Sequence, residues 1–249
     1  MSEPRFDVEQ IFDEDYLYFY EELLSDERTD AEVELLWRLL DLGPGTEVLD
    51  APCGHGRISN RLAARGARVT GLDATPLFLD AARRDAAERG VDVDFVKGDL
   101  RSLPWEGRFD VVLNWFTSFG YFGDDDNRRV LLEARKALRP GGRLVLDVHS
   151  RDAFQRHRLP VTIAERDGDL MVDRHSFDVL AGRIETERFV VRDGNVRRFA
   201  FSVRFFTFTE LRDWLLQAGF ADVEAYDRET GETLSAESRR MIVIARNAT

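Results

Sequence analysis

The sequence predicts an α/β fold: a mostly parallel sheet of seven strands with helices on both faces and an antiparallel β insertion after the fifth strand. Two observations lead to this prediction. From residue 47 onward, short apolar runs alternate with helical segments, as in βαβ units that build a parallel sheet. Between residues 159 and 206 the apolar residues partly alternate with polar ones, which indicates antiparallel strands. The length of 249 residues fits a single domain over 1–249.

The chain is expected to start with an N-terminal helical cap over 1–42. Within it, Val33, Leu36 and Leu40 recur at steps of three and four residues, which places them on one face of a helix. Gly43-Pro44-Gly45 then ends this helix. The cap therefore precedes the first strand of the sheet.

Five apolar runs are predicted to form the parallel part of the sheet. They are Glu47 to Asp50, Val69 to Asp73, Asp94 to Lys97, Asp110 to Asn114 and Arg143 to His149. Helices are predicted between them. Thr75-Pro76 offers a capping hydroxyl followed by proline at the first helical position, and a later helix begins near Asp125 and is ended by Arg139-Pro-Gly-Gly142.

The segment 159–206 is predicted to be an antiparallel β insertion that forms a lid or wall over a substrate. Its clearest signal is Asp193-Gly194-Asn195 between two partly alternating runs, which predicts a β-hairpin. A helix follows, with Thr207 and Glu210 spaced as a capping box. The runs Asp222 to Tyr226 and Arg240 to Arg246 are predicted to be the last two strands.

Composition excludes several classes of function. The formal net charge of −12 opposes a phosphate backbone, so no nucleic acid partner is expected. Apolar runs stay well short of the about 18 residues that span a bilayer, and residues 1–10 lack signal-peptide features, so we expect a cytoplasmic protein with no membrane partner. Cys53 is the only cysteine and the four histidines lack ligand spacing, which predicts neither a disulfide nor a metal site.

The strongest local motif is Val48-Leu-Asp-Ala-Pro-Cys-Gly-His-Gly-Arg57, an apolar strand that runs into a Gly-x-Gly turn and then into a helix. Because they lack a Cβ, Gly54 and Gly56 can adopt positive φ and let a ligand approach the backbone, as in Rossmann-like domains. Asp73 ends the second strand, 19 residues beyond Gly54, where a carboxylate can accept the ribose hydroxyls of an adenosine cofactor.

This motif alone leaves dinucleotides and other adenosine cofactors open. Ser59 stands where a pyrophosphate binder has its third glycine, and Asp50 at the strand end would repel a diphosphate. A carboxylate there suits a cationic ligand with an ammonium group. The chemistry therefore favours S-adenosyl-L-methionine over a pyridine nucleotide, whose dehydrogenases are the competing interpretation.

With these residues in place, the chain resembles the class I S-adenosylmethionine-dependent methyltransferases over nearly its whole length. Four further blocks match family motifs in order: Val69-Thr-Gly-Leu-Asp73, Val96-Lys-Gly-Asp-Leu100, Phe109-Asp-Val-Val-Leu-Asn114 and Leu138-Arg-Pro-Gly-Gly-Arg-Leu-Val-Leu-Asp147. Further stretches are similar to a bacterial group of small-molecule methyltransferases that includes sugar and amino-acid N-methyltransferases: Asp15-Tyr-Leu-Tyr-Phe-Tyr20, Glu27-Arg-Thr29, Trp115 to Phe122 and Ser238 to Ala245.

The resemblance implies a role for each matching residue. Asp50, Ala51, Gly54 and Gly56 belong to the turn that holds the methionine portion of the cofactor. Asp73 would bind the ribose and Asp99 the adenine amino group, while Ala74 and Leu100 pack on the adenine ring. Asn114 would border the methionine moiety and the transferring methyl group. Tyr16, Tyr20 and Arg28 would close the site, with Arg28 on the cofactor carboxylate through charge-assisted hydrogen bonds, and Phe116 is a further cofactor-binding candidate.

The resemblance implies methyl transfer to a small molecule by in-line displacement, to nitrogen or oxygen rather than carbon. Such a reaction depends on alignment and desolvation of the reactants and needs no covalent intermediate with the enzyme. The sequence therefore gives less information on the catalytic residue than on the cofactor site. His149, Tyr121 and His175 are the candidates. A non-catalytic protein that binds the cofactor or its product is the alternative function, and the chain is expected to act as a monomer or homodimer.

Overall fold

The computed structural model describes residues 6–157 and 159–248, so residues 1–5 of the expected N-terminal cap and residues 158 and 249 lie outside the described residues. Its helices are α1 (Val8–Ile11), α2 (Glu14–Tyr20), α3 (Asp26–Leu39), α4 (Arg57–Ala64), α5 (Pro76–Arg89), α6 (Asp124–Ala137), α7 (Arg151–His157) and α8 (Phe208–Gln217). Its strands are β1 (Glu47–Asp50), β2 (Arg68–Asp73), β3 (Asp94–Lys97), β4 (Phe109–Asn114), β5 (Leu138–His149), β6 (Val161–Arg166), β7 (Asp169–Asp178), β8 (Arg183–Arg192), β9 (Asn195–Arg204), β10 (Phe220–Asp227) and β11 (Arg240–Asn247).

Seven strands form one mixed sheet in the order β10-β11-β5-β4-β1-β2-β3. The pairs among β1 to β5 are parallel, whereas β11 pairs antiparallel with both β5 and β10. The predicted mostly parallel seven-stranded sheet is therefore confirmed. Strand order reverses at β1, which has β2 on one side and β4 on the other, and such a switch point is where open α/β sheets bind ligands.

Each face of the sheet buries its own hydrophobic core, as the two-residue period of a strand requires. Val111 and Leu113 of β4 pack with α3 and α4, whereas Val112 between them packs with α6 and α8. The same alternation places Val48 and Leu49 of β1 in opposite cores. Helices cover both faces, as predicted, and leave the carboxyl ends of the strands to form the site.

The antiparallel insertion is a separate four-stranded sheet in the order β6-β7-β8-β9. Asp193 and Gly194 form the tip between β8 and β9 with φ of 51° and 76°, the positive values of the predicted two-residue hairpin. Apolar side chains of this sheet, among them Phe199 and Phe201, pack with Ile11 and Phe19 of the N-terminal helices. The N-terminal cap and the insertion are therefore joined by one hydrophobic cluster.

Some local predictions were wrong in detail. The helix α6 ends at Ala137, before the Arg139-Pro-Gly-Gly142 segment, which belongs to β5. Thr75 does begin α5 with Pro76, but its hydroxyl makes no capping hydrogen bond. Thr207 Oγ1 accepts from Glu210 N at 3.2 Å, while the Glu210 carboxylate pairs with Arg204 instead of completing a capping box. None of the helices that the structure describes combines the length and the apolar character needed to cross a membrane.

Candidate active site

The turn after β1 is held by Asp73 at the end of β2. Gly54 N donates to Asp73 Oδ2 at 2.9 Å and Thr75 N donates to Oδ1 at 2.8 Å. Gly54 has a φ of 55°, and a Cβ there would meet only Phe78 Cδ2 within 4 Å, at 3.9 Å. The backbone at Gly54 therefore stays open to the space beside it, as predicted for a ligand-binding turn.

Gly56 serves a different purpose. Its φ is 79°, and a Cβ there would lie 2.7 Å from Ala82 Cβ of α5. This glycine begins α4 and lets α4 and α5 approach each other. The positive φ agrees with the prediction, and the missing side chain serves helix packing; the place of Gly56 in the cofactor-binding turn stays a prediction.

Asp50 and Asp73 are both buried carboxylates at the edge of the sheet. Burial raises the pKa of Asp50 to about 7, although the Ser59 hydroxyl donates to Asp50 Oδ2 at 2.6 Å. Burial also raises the pKa of Asp73, against the lowering effect of the N–H donors from Thr75 and Gly54. Two buried carboxylates, whose negative charge is little compensated by nearby groups, thus lie where the sequence predicted a cationic ligand.

A cavity of about 670 Å³ opens beside these acids and continues under the four-stranded sheet, and its volume is in the range of small-molecule sites. It is lined by most of the predicted cofactor residues: Tyr16, Tyr20, Arg28, Asp50, Gly54, Asp73, Ala74, Asp99, Leu100 and Phe116. The three catalytic candidates, Tyr121, His149 and His175, also line it. Ala51, Gly56 and Asn114 are absent from its wall.

Asn114 supports the turn from below. Its Nδ2 donates to the Ala51 carbonyl at 3.0 Å, and its buried Oδ1 has no hydrogen-bond partner among the described residues. The pleat of β4 directs this side chain toward a small void beside Val130 and Leu131 of α6. The cavity wall does not include Asn114, so the expectation that it borders the transferring methyl group stays a prediction.

Asp99 is engaged by its own neighbour. Arg101 Nη2 pairs with Asp99 Oδ2 at 2.7 Å, and these hydrogen bonds lower the pKa of Asp99. Arg101 also pairs with Asp126 at 2.8 Å. Asp99 is therefore an ionised carboxylate at the cavity edge whose orientation is fixed by Arg101, a contact that the sequence analysis did not predict.

Aromatic rings cover the cavity from the N-terminal side. Tyr16 and Tyr20 of α2 stack with centroids 4.2 Å apart, and Tyr16 also contacts Phe78 at 5.6 Å. Burial raises the pKa of Tyr16 well above its usual value, and the phenol of Tyr20 adds to the shift. Tyr16 thus stays neutral, and the two stacked rings present aromatic faces to the cavity, which suits a cationic ligand.

A buried ionic cluster lies beneath the loop that follows β4, and we call it the arginine cluster: Arg28, Arg57, Arg228, Arg240, Glu32 and Asp147. Glu32 accepts a hydrogen bond from Arg28 at 3.0 Å, and it forms ion pairs with Arg57 at 2.8 Å and with Arg228. Asp147 accepts from Arg240 Nε at 3.0 Å. Arg28 was expected to bind the cofactor carboxylate; the structure places it at the cavity wall but pairs it with Glu32.

The cluster fixes the backbone after β4. Phe116 N donates to Asp147 Oδ2 at 3.0 Å, Thr117 N donates to the Asp147 carbonyl at 2.9 Å, and Trp115 Nε1 donates to Glu32 at 2.7 Å. Phe116 and Thr117 have positive φ of 60° and 59°, which is uncommon for such residues. Opposing burial, the charges of Arg57 and Arg228 lower the pKa of Glu32 to about 2, so Glu32 stays ionised.

The part of the cavity under the four-stranded sheet carries a second polar group. Arg188 makes two hydrogen bonds of 2.7 Å to Asp173, and both residues are buried. His175 contacts the hydroxyls of Thr162 and Thr186 at 3.1 and 3.0 Å. The sequence analysis named only His175 here, since a pair joining two strands leaves no local motif.

The three catalytic candidates have pKa values that limit their chemistry. Burial lowers the pKa of His149 to about 3, helped by Arg240, and lowers the pKa of His175. Burial raises the pKa of Tyr121 above its usual value. At neutral pH all three are therefore uncharged. Across the ranges that the structure describes, no group of three metal-ligating side chains occurs.

The residues around the turn fit S-adenosylmethionine, the cofactor that the resemblance implies. Gly54 leaves space beside its backbone, and Asp73 retains lone pairs beyond those used by two N–H groups. Asp50 supplies negative charge, and Tyr16 and Tyr20 supply aromatic faces in the same wall. This donor set suits a cationic nucleoside and would repel a diphosphate.

Comparisons with known proteins agree with this geometry. Residues 48–142 match the model of a methyltransferase domain family. A cypemycin N-terminal methyltransferase from Streptomyces sp. is 31% identical over 205 residues, which cover 80% of this chain and 82% of that protein.

Solved structures share the fold. A methyltransferase from Streptomyces caelestis has a TM-score of 0.77 and 24% identity, covering 98% of this chain and 97% of its own. An amino pentose methyltransferase from Micromonospora echinaspora, solved with S-adenosylmethionine bound, has a TM-score of 0.63 and 22% identity, covering 99% of this chain and all of its own. With the ordered motifs and the cypemycin-enzyme likeness, these findings establish that the chain belongs to the class I S-adenosylmethionine-dependent methyltransferases.

Proposed function

We propose that the protein transfers a methyl group from S-adenosylmethionine to a nitrogen atom of a small acceptor that binds under the four-stranded sheet. One observation carries this proposal: a single cavity runs from Asp50 and Asp73 to the polar groups of β7 and β8, so a donor and an acceptor could share it. The similar proteins named as an N-terminal methyltransferase and an amino pentose methyltransferase support an amine acceptor.

The choice of nitrogen over oxygen rests on which side chains of the cavity could take a proton from the acceptor. The cofactor supplies an electrophilic methyl group on a positive sulfur, and the protein must align a nucleophile with it. A hydroxyl acceptor needs a base, but His149 has a pKa of about 3 and the phenol of Tyr121 has a raised pKa. An amine can lose its proton to water before it binds, so a cavity without a strong base is sufficient.

The protein's own residues then act by orientation and exclusion of water. Tyr16 and Tyr20 cover the cavity, and Phe205 stacks on His149 at 5.0 Å, which keeps the imidazole fixed. As a neutral ring, His149 can accept a hydrogen bond from the incoming amine. We also infer a cytoplasmic setting, which agrees with a lone free thiol at Cys53.

The test is transfer of a labelled methyl group to matched acceptors. Purified protein would be incubated with radiolabelled S-adenosylmethionine and pairs that differ only in an amine or a hydroxyl, such as benzylamine and benzyl alcohol. We expect label in amines, with a rate that rises with pH as the amine deprotonates. Label confined to hydroxyl acceptors would reject the nitrogen assignment. Cofactor binding without transfer to any acceptor in a broad panel would favour the non-catalytic alternative.

A further inference from the structure

The arginine cluster contains more positive than negative charge. Four guanidinium groups share two buried carboxylates, Glu32 and Asp147, which leaves an excess of two positive charges. Glu229 lies 3.7 Å from Arg228, but its side chain is 68% exposed and well solvated. Asp50, whose carboxylate interacts with the charge of Arg57, is the acid expected to face the cofactor's ammonium group. An excess of buried positive charge calls for an anion from outside the protein.

Three of these guanidinium groups reach the cavity. Arg28, Arg57 and Arg240 line it, and each lies within 6 Å of the Phe116 ring centroid, at 5.7, 5.2 and 5.3 Å. Arg28 and Arg57 lie on the α3 and α4 side, next to the glycine turn. Arg240 begins β11, which is separated from β1 by β4 and β5. Arg28 and Arg57 therefore come from the glycine-turn side of the sheet and Arg240 from the β5–β11 side, although all three lie near the Phe116 ring.

Arg240 has donors to spare. Its Nε and Nη2 face Asp147 at 3.0 and 2.8 Å, so the side-on edge of the guanidinium is used. Its Nη1 makes no hydrogen bond within residues 6–157 and 159–248. Its Nη2 forms an ion pair with Asp147 but is not aligned for a hydrogen bond. Nη1 is therefore the donor of Arg240 that is left for a ligand, and its positive charge suits a carboxylate oxygen.

Binding of the cofactor does not remove this excess. Its carboxylate, ammonium and sulfonium together carry one net positive charge, which ionised Asp50 offsets, so the excess among the arginines remains. The wall near Arg240 is otherwise neutral and aromatic: His149 is uncharged and stacks on Phe205, which contacts Phe154 at 5.0 Å. A charged group in such surroundings is poorly screened and selects strongly for an opposite charge.

We propose that the acceptor bears a carboxylate, which Arg240 binds at the β5–β11 end of the cavity. This inference rests on the proposed function, because it places the acceptor in the half of the cavity away from the glycine turn. It narrows the acceptor to amines that also carry an acidic group. Arg240 is then the residue that determines specificity, and Asp147 positions it.

The test measures binding of small probes by calorimetry and needs no turnover. Benzoate, phenyl phosphate and benzyl alcohol would be titrated into protein saturated with S-adenosylmethionine or with its demethylated product. We expect benzoate to bind about tenfold or more tighter than benzyl alcohol, as a charge-assisted pair implies. Benzoate should also bind more tightly with the sulfonium cofactor than with the neutral product.

Variants locate the site. Arg240→Gln should remove the advantage of benzoate, Arg240→Lys should retain part of it, and Arg239→Gln is the matched control because Arg239 is the exposed neighbour. Retained binding of the demethylated product would show that each variant is folded. If Arg240→Gln does not fold, Arg240→Lys provides the test in its place. Equal affinity for benzoate and benzyl alcohol, preference for phenyl phosphate, or a benzoate advantage that survives Arg240→Gln would overturn the proposal. Failure of the proposed function would instead appear in the transfer assay, as no labelled methyl group in any amine.

Discussion

Replacement of Glu32 by glutamine should destabilise the protein by about 3 kcal/mol at neutral pH. Glu32 is 3% exposed, and its carboxylate forms ion pairs with three guanidinium groups and accepts a hydrogen bond from the Trp115 indole. Its pKa falls from 4.5 to about 2 because Arg57 and Arg228 outweigh burial, and this difference corresponds to about 3 kcal/mol. Removal of one partner from a buried ion pair generally costs about 3–5 kcal/mol, which agrees with this magnitude.

The pH dependence has a definite sign. The folded pKa of Glu32 lies below the unfolded value, so its contribution is complete above about pH 4.5 and is lost as the pH falls toward 2. Urea unfolding followed by circular dichroism, at pH 7 and at several lower values, would measure this. The wild type and Glu32→Gln should converge as the pH falls through that window.

The same helix offers a matched control. Glu34 of α3 pairs with Arg65 at 2.7 Å, but its side chain is 64% exposed, so Glu34→Gln should cost less than about 1 kcal/mol. At about 2–4 °C per kcal/mol for a chain of this size, Glu32→Gln should lower the melting temperature by about 6–12 °C. A loss below 1 kcal/mol, or a loss equal to that of Glu34→Gln, would refute the view that the cluster is a tightly coupled network.

Three further predictions concern the turn after β1. Asp73→Ala should weaken binding of S-adenosylmethionine about 10- to 100-fold by calorimetry, because ribose hydroxyls lose a charged acceptor; unchanged affinity would reject the assigned role. Gly56→Ala should lower the free energy of unfolding by about 2 kcal/mol, because the new Cβ would lie 2.7 Å from Ala82 Cβ. Gly90→Ala is the control: Gly90 has a φ of 65° but no neighbour within 4 Å of an added Cβ, so the free energy of unfolding should fall by only about 1 kcal/mol. Asp50→Asn should stabilise the protein by about 2–4 kcal/mol at pH 8 while weakening cofactor binding, since the folded pKa of about 7 exceeds 3.8 and ionised Asp50 therefore opposes folding increasingly between these values. If its unfolding curve matched that of the wild type at pH 8, buried charge at this position would not be the destabilising factor.

The layered part of the fold could be predicted because its signals are local. Strand ends at Asp50 and Asp73 follow directly from apolar runs, and the Asp193-Gly194 tip follows from the backbone that such residues adopt. The helix α7 was not predicted, since its seven residues, from Arg151 to His157, are mostly polar and bury only Ala153. A short helix of this kind is fixed by its place between β5 and β6 rather than by periodicity.

The site was predictable only in its cofactor half. The turn and its acids occupy one stretch of chain, so spacing alone associates Gly54 with Asp73. Glu32 and Arg228 are far apart in the sequence, and neither belongs to a motif that would predict their contact. Asp147 and Arg57 stood within recognised motifs, yet their partners come from tertiary structure, so their roles could not be assigned from sequence.

The arginine cluster is better understood as a device for geometry than as a source of stability. A buried ion pair can often be replaced by apolar residues without loss, because desolvation offsets most of the attraction. What an apolar residue could not reproduce is the Asp147 carboxylate that accepts from Phe116 N, whose left-handed backbone needs such support. Phe116 lies between the guanidinium groups of the glycine-turn side and that of Arg240. The charges that hold this loop in place therefore also set the field in which donor and acceptor would meet, so a change that weakens the cluster should alter ligand binding even where the fold survives.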